Sequence, residues 1–170
     1  LRDERECGDF SVRFALIMLA HGAEKVFYHC DGVSVGVNGD DLGSWLSVQG
    51  GWPRKVYAAQ AAMADLLGPA PKFAAKLAKP ESVGGKKTDA VYGYAYQCGP
   101  RAVLAAWAPT PVVGHAAWKL RVPSGVAGLS VVGAPLTGEA VSLGESPVYL
   151  VSGTMAADAL AKACALEAVE

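Results

Sequence analysis

The chain has 170 residues, of which 52 % are hydrophobic, 18 % charged and 8 % aromatic. A chain of this length buries about 70 % of its unfolded surface, enough for a core that needs no staples. Fifteen basic against sixteen acidic residues give a formal charge of −1, which argues against nucleic acid or an anionic membrane as partner, and no apolar run approaches the roughly 20 residues that cross a bilayer.

Residue 1 is leucine, followed at once by the charged run Arg2-Asp3-Glu4-Arg5-Glu6. With no initiator methionine and no signal peptide, the expectation is a piece of a longer chain. The first element is a helix from about Gly8 to His21. Its second half, Phe14 to Ala20, is apolar on nearly every side, as in a helix buried between layers. Gly22 stands where a C-terminal cap would end it, and His21 lies where the helix dipole favours an imidazole. Val26-Phe27-Tyr28 then forms a short β-prone run closed by His29-Cys30-Asp31-Gly32. Helix, glycine turn and buried strand make half of a β/α unit.

Residues 32 to 52 are a glycine-rich connection, long enough to be functional or structured in itself. Pro53 suits the first turn of a second helix. Val56, Tyr57, Ala59, Gln60, Met63, Ala64, Leu66 and Leu67 supply its stripe, and Gly68-Pro69 ends it. From Pro69 to Asp89 the composition is that of a linker, with Lys72 to Lys79 open to a helical turn or a short strand. Beyond it the period changes to two. Val91 to Gln97, the turn Cys98-Gly99-Pro100 and Ala102 to Trp107 read as a hairpin. Further strands are expected at Ala117–Val122, Gly128–Val132, Ala140–Leu143 and Pro147–Val151, which together predict a sandwich of about six strands. The tail from Thr154 to Glu170 is alanine-rich and helical in propensity.

Two observations bound the chemistry. Cys7, Cys30, Cys98 and Cys164 lack the short spacings of zinc sites, so free thiols and no cofactor are expected; their even number also permits two disulfides. The compartment is left open. There is no GxGxxG or GxxxxGK[ST] phosphate loop and no GxSxG nucleophile elbow.

A parallel strand between two helices needs neighbouring strands, and the first 70 residues contain no second strand of that kind. The N-terminal third therefore reads as the end of an α/β domain. The series "AHGAEKVFYH", "PRKVYAAQAAMADLLG", "VYGYAYQ", "RAVLAAW" and "LGESPVYL" resembles, over about residues 5 to 152, the C-terminal end of bacterial retaining glycoside hydrolases. These are the (β/α)8-barrel enzymes of the β-xylosidase and β-galactosidase-like clan. The resemblance implies an α+β fold class: the last helix–strand–helix portion of a barrel (residues 1–70), a linker or first sandwich segment (71–89), a small antiparallel β-sandwich (90–152) and a helical tail (153–170). It implies hydrolysis of O-glycosidic bonds, a carbohydrate substrate, and the remainder of the barrel as the partner of this segment.

In that clan both catalytic glutamates would precede Leu1, so no catalytic residue is assigned here and the segment alone is expected to be inactive. Glu4 and Glu6 take neither role. The resemblance sets His29 at the C-terminal end of the eighth barrel strand, the active-site face, as a sugar contact. Tyr28 replaces it if the inward face is the other one. Asp31 and Asn38 could hydrogen-bond sugar hydroxyls or simply form turns. Trp45 could stack on a sugar or pin its loop to a core, and Trp52 is open to the same two roles. Tyr92, Tyr94 and Tyr96 share one strand face, suited to a sugar or to an interface with the barrel. The alternative function is a non-catalytic carbohydrate-binding or structural sandwich module.

Overall fold

The computed structural model describes residues 4–27, 54–109 and 117–169. Helix α1 spans Glu4–Ala20, with Glu4 and Glu6 in its first turn, where negative charge complements the helix dipole. It ends in a full Schellman motif. Gly22 has φ +97°, its N–H bonds the Leu19 carbonyl, and the Ala23 N–H bonds that of Met18. Helix α2 spans Lys55–Leu67 and stops at Gly68, whose φ of 67° carries its N–H to the Ala64 carbonyl. Pro53, the expected helix start, lies outside the described residues.

The strands follow in chain order. Lys72–Lys76 forms β1, which resolves the open choice at Lys72 to Lys79 in favour of a strand. Ser82–Val83 (β2) and Lys86–Lys87 (β3) form a small hairpin around Gly84 and Gly85, both at positive φ. Tyr92–Cys98 (β4) and Arg101–Trp107 (β5) pair in register from Tyr92↔Trp107 to Cys98↔Arg101. The two-residue turn between them places Gly99, at φ +61°, before a proline fixed near −65°, the signature of a type II′ turn. Then come Ala117–Arg121 (β6), Ala127–Leu129 (β7), Pro135–Leu136 (β8), Ala140–Leu143 (β9), Val148–Ser152 (β10), helix α3 (Ala157–Ala163) and Ala165–Val169 (β11).

These strands form a six-stranded sheet in the order β1-β4-β5-β10-β7-β8 and a three-stranded sheet in the order β11-β6-β9. Every described ladder is antiparallel. The large sheet is covered on both faces. Ala95, Leu104, Ala106 and Leu150 meet Trp118, Leu120, Val141, Leu143 and Leu166 of the small sheet and Leu160 of α3. On the other face Tyr94, Tyr96, Val103, Trp107 and Tyr149 meet Val12 and Leu16 of α1 and Met63 and Leu66 of α2. Two-sided burial explains why β5, RAVLAAW, is continuously apolar rather than alternating. Among the described residues the fold is α+β, with three helices and antiparallel sheets.

Three expectations are corrected. The tail is not helical throughout: after the seven residues of α3, Ala165–Val169 pairs antiparallel with β6, Leu166 opposite Leu120. A waiting sheet edge and a buried Leu166 outweigh the helical propensity of alanine. Helix α1 is not buried on all sides: Phe10, Phe14 and Met18 are 52 %, 45 % and 41 % exposed, because α2 and the sheet cover only the opposite arc. Val26 and Phe27 belong to no strand, and Phe27 is 85 % exposed. No parallel ladder exists among the described residues to pair with them, and Tyr28 lies outside those residues.

Cys7, Cys98 and Cys164 are free thiols, and Cys30 lies outside the described residues. Burial pushes the Cys98 thiol up to about 11 and the Cys164 thiol up to about 12. Thiolate is the nucleophile, so neither should react with Ellman's reagent at pH 8 until the protein unfolds. Rapid labelling of either thiol in native protein would contradict this burial.

Candidate functional site

The helical layer has an unusual polarity. Arg54, just before α2, reaches Glu4 at the start of α1 (2.7 Å); Gly8 lies against Val56 and Ala59; and Gln60 donates to the Ser11 hydroxyl at 2.5 Å. Contacts ascend together along both helices, so α1 and α2 are parallel neighbours. A tight turn can join only antiparallel neighbours. The start of α2 therefore lies beside the start of α1, about 25 Å at 1.5 Å per residue from the end of α1.

On α1 the residues Phe10, Phe14 and Met18 recur every four positions. They form an apolar stripe on the side away from Gly8, Val12, Ala15 and Leu16, which face α2 and the sheet. Together with Phe27 these are large side chains facing outward from the helical layer.

The start of α1 also carries a buried carboxylate. Asp9 is 1 % exposed. Its Oδ2 accepts from the hydroxyl of Ser146 at 2.7 Å, in the turn joining β9 to β10, and from the Arg5 guanidinium at 3.1 Å. Arg5 lies 3.7 Å from Glu145 of the same turn, and Arg13 donates to the Asp9 carbonyl at 3.2 Å. Asp9 Oδ1 is buried with no hydrogen-bond partner among the described residues. Desolvation raises the Asp9 carboxyl above its ordinary range, against the lowering effects of Ser146, Arg5 and Arg13 and with a smaller raising effect of Glu145. Nothing in the sequence singled out Asp9. Its one legible signal is that it shares the helix arc of Val12 and Leu16, where an acid must be paired.

The tyrosine row is a packing surface at two of its three positions. Tyr96 is fully buried and donates to the Leu16 carbonyl at 2.5 Å, and Tyr94 is buried beside Trp107. Both are thereby closed to sugar. Tyr92 remains partly exposed, stacked on Trp107 with ring centroids 5.5 Å apart.

The described residues also line surface hollows. A groove of about 640 Å³ lies between the end of α2 and the β4–β5 turn, lined by Leu67, Lys72, Gln97, Cys98 and Arg101 among others. Its arginine is engaged with the Asp65 carbonyl. A second, of about 710 Å³, lies beside the β2–β3 hairpin. There the Lys79 ammonium donates to the carbonyls of Thr88 and Val91. Lys79 and Arg101 thus serve as braces.

No group of three or more potential metal ligands exists among the described residues, and no helix there is long and apolar enough to cross a membrane. The residues expected to contact sugar, Tyr28, His29, Asp31, Asn38 and Trp45, all lie outside the described residues, as does Trp52.

No protein-family model matches the chain, and no curated protein matches it. Among solved structures it is similar to a glycoside hydrolase family 30 endoxylanase from Clostridium papyrosolvens, with 18 % identity and a TM-score of 0.44 over 63 % of this chain. It is also similar to a glycoside hydrolase family 30 subfamily 8 xylanase from Clostridium acetobutylicum, with 13 % identity and a TM-score of 0.49 over 89 % of this chain. The chain spans 30 % of the first structure's length and 40 % of the second's.

Proposed function

We propose that this chain is the closing portion of a (β/α)8-barrel glycoside hydrolase. In this proposal α1 and α2 are the last two barrel helices and the sheet layers form an accessory sandwich docked on them. The parallel packing of α1 and α2 carries the proposal. Two parallel helices that flank a returning segment are the repeating unit of a β/α barrel, and barrel strands would cover the Phe10–Phe14–Met18 stripe. The sequence resemblance supports the glycosidase assignment: "PRKVYAAQAAMADLLG" includes α2, and "LGESPVYL" runs into β10.

The two carboxylates that cleave a glycosidic bond then lie in the part of the barrel outside this chain. This chain's contribution is to close the barrel and hold the segment between α1 and α2, with Tyr28, His29, Asp31, Asn38 and Trp45 as its sugar contacts. The substrate is a carbohydrate with an O-glycosidic bond.

Two measurements test this. Residues 1–170 alone should not hydrolyse aryl β-xylosides or β-galactosides, and turnover by them would overturn the assignment. In the protein that carries the barrel, Phe14→Ala should destabilise by about 3–5 kcal/mol, as for a buried phenylalanine. A change within about 0.5 kcal/mol would mean that the stripe is an ordinary exposed surface and the barrel reading is wrong.

A further inference from the structure

Beside the apolar packing of the helices on the large sheet, polar side chains also join the two layers, among them Tyr96 to Leu16, Arg101 to Asp65 and Asp9 to Ser146, and the last of these ties can take up a proton. We propose that Asp9, with Ser146 and Arg5, forms a proton-operated latch that grips α1 to the β9–β10 turn more firmly as the surroundings acidify.

The carboxylate of Asp9 is unevenly loaded. Oδ2 accepts both the Ser146 hydroxyl and the Arg5 guanidinium, while Oδ1 is buried with no partner among the described residues. Ionised, the group spreads negative charge over two oxygens, and one of them has lost its water without replacement. A proton added at Oδ1 neutralises the group, so the unpartnered oxygen no longer bears charge and is less costly to bury. It leaves Oδ2 as a carbonyl oxygen that still accepts from Ser146, so the link between the layers survives protonation. The charges facing the carboxyl are Arg5 and Arg13 on α1 and Glu145 on the β9–β10 turn. The Glu4–Arg54 pair stands about one turn away, at the helix start.

The sign follows from linkage. A carboxyl held above its ordinary 3.8 in the folded state binds its proton more tightly there than in the undocked helix. Its contribution to docking therefore grows as pH falls through the folded-state value and is complete below the ordinary one. This is opposite to the usual acid weakening of an ion-paired carboxylate.

Hydrogen exchange of the α1 amides in the intact protein, corrected for intrinsic rates, tests the latch between pH 7 and about pH 4. Wild-type α1 should be measurably better protected at the lower pH, because the proton is held more tightly in the docked state. Asp9→Asn, an isosteric mimic of the protonated acid, should be as protected at pH 7 as wild type is at the lower pH, with little dependence on pH. Ser146→Ala should lower protection at both pH values and keep the pH dependence. The latch is overturned if wild-type protection is flat or falls on acidification, or if Asp9→Asn at pH 7 is less protected than wild type.

Discussion

Gly93→Ala should destabilise the protein by about 1–3 kcal/mol, as overpacked cores do, with the result at the upper end. A Cβ on Gly93 would stand 2.5 Å from the Cβ of Leu77, a separation that no rotamer change relieves, because both atoms move only with their backbones. Those backbones are tied together by the Leu77 N–H donating to the Gly93 carbonyl at 2.9 Å, and Leu77 is itself in the core between the two sheets. Relief must come from pushing the chain after β1 away from β4.

A sharper consequence follows. Leu77→Ala keeps the offending Cβ, so combining it with Gly93→Ala should not rescue stability; it should add a cavity cost of about 2–5 kcal/mol. Gly144→Ala is the control. That glycine has no atom within 4 Å of a built Cβ and no positive φ, and the change should stay within about 0.5 kcal/mol. Urea midpoints for the four variants decide the matter. A Gly93→Ala midpoint equal to that of wild type would show that β1 and β4 are not so closely joined.

Leu16→Ala should cost about 2–5 kcal/mol, as truncations of fully buried leucines do. Leu16 is wholly inaccessible at the seam between α1, α2 and the tyrosine face of the large sheet. Its backbone carbonyl also receives the Tyr96 hydroxyl. The loss should be uneven across the molecule. The cluster between the two sheets, built on Leu104, Leu120 and Leu150, shares no residue with the cluster beneath the helices. Exchange should therefore speed up in the α1 and α2 amides before it does in β6, β9 and β11. Equal acceleration everywhere would mean that the layers open as one unit.

These two substitutions probe different kinds of information. The helix ends, the β4–β5 hairpin and the strands at 117–121, 140–143 and 148–152 were legible because their signals are local. Gly22 and Gly68 take left-handed conformations that a side chain resists. Gly99-Pro100 meets the needs of a two-residue turn, and short apolar runs between glycines and prolines mark strands. The function was legible only as a resemblance, carried by the order of elements and a few phrases. The sugar-contacting residues it suggests lie on a segment outside the described residues, and the acid at the layer junction is not legible because a helical aspartate more often faces solvent.

By itself, then, the sequence determined where the chain bends, where its helices stop and which stretches are extended. Each of these follows from the backbone preferences of a few adjacent residues. Tertiary structure alone decided that Ala165–Val169 is a strand, since a propensity of tenths of a kcal/mol per residue yields to a sheet edge that offers a full ladder. It alone decided that α1 and α2 run parallel, that Tyr94 and Tyr96 are buried beneath them, and that Asp9 meets Ser146 across 137 positions of chain. The physical reason is common to all four. Pairing and burial depend on residues far apart in sequence, and no local preference specifies which distant surface will arrive.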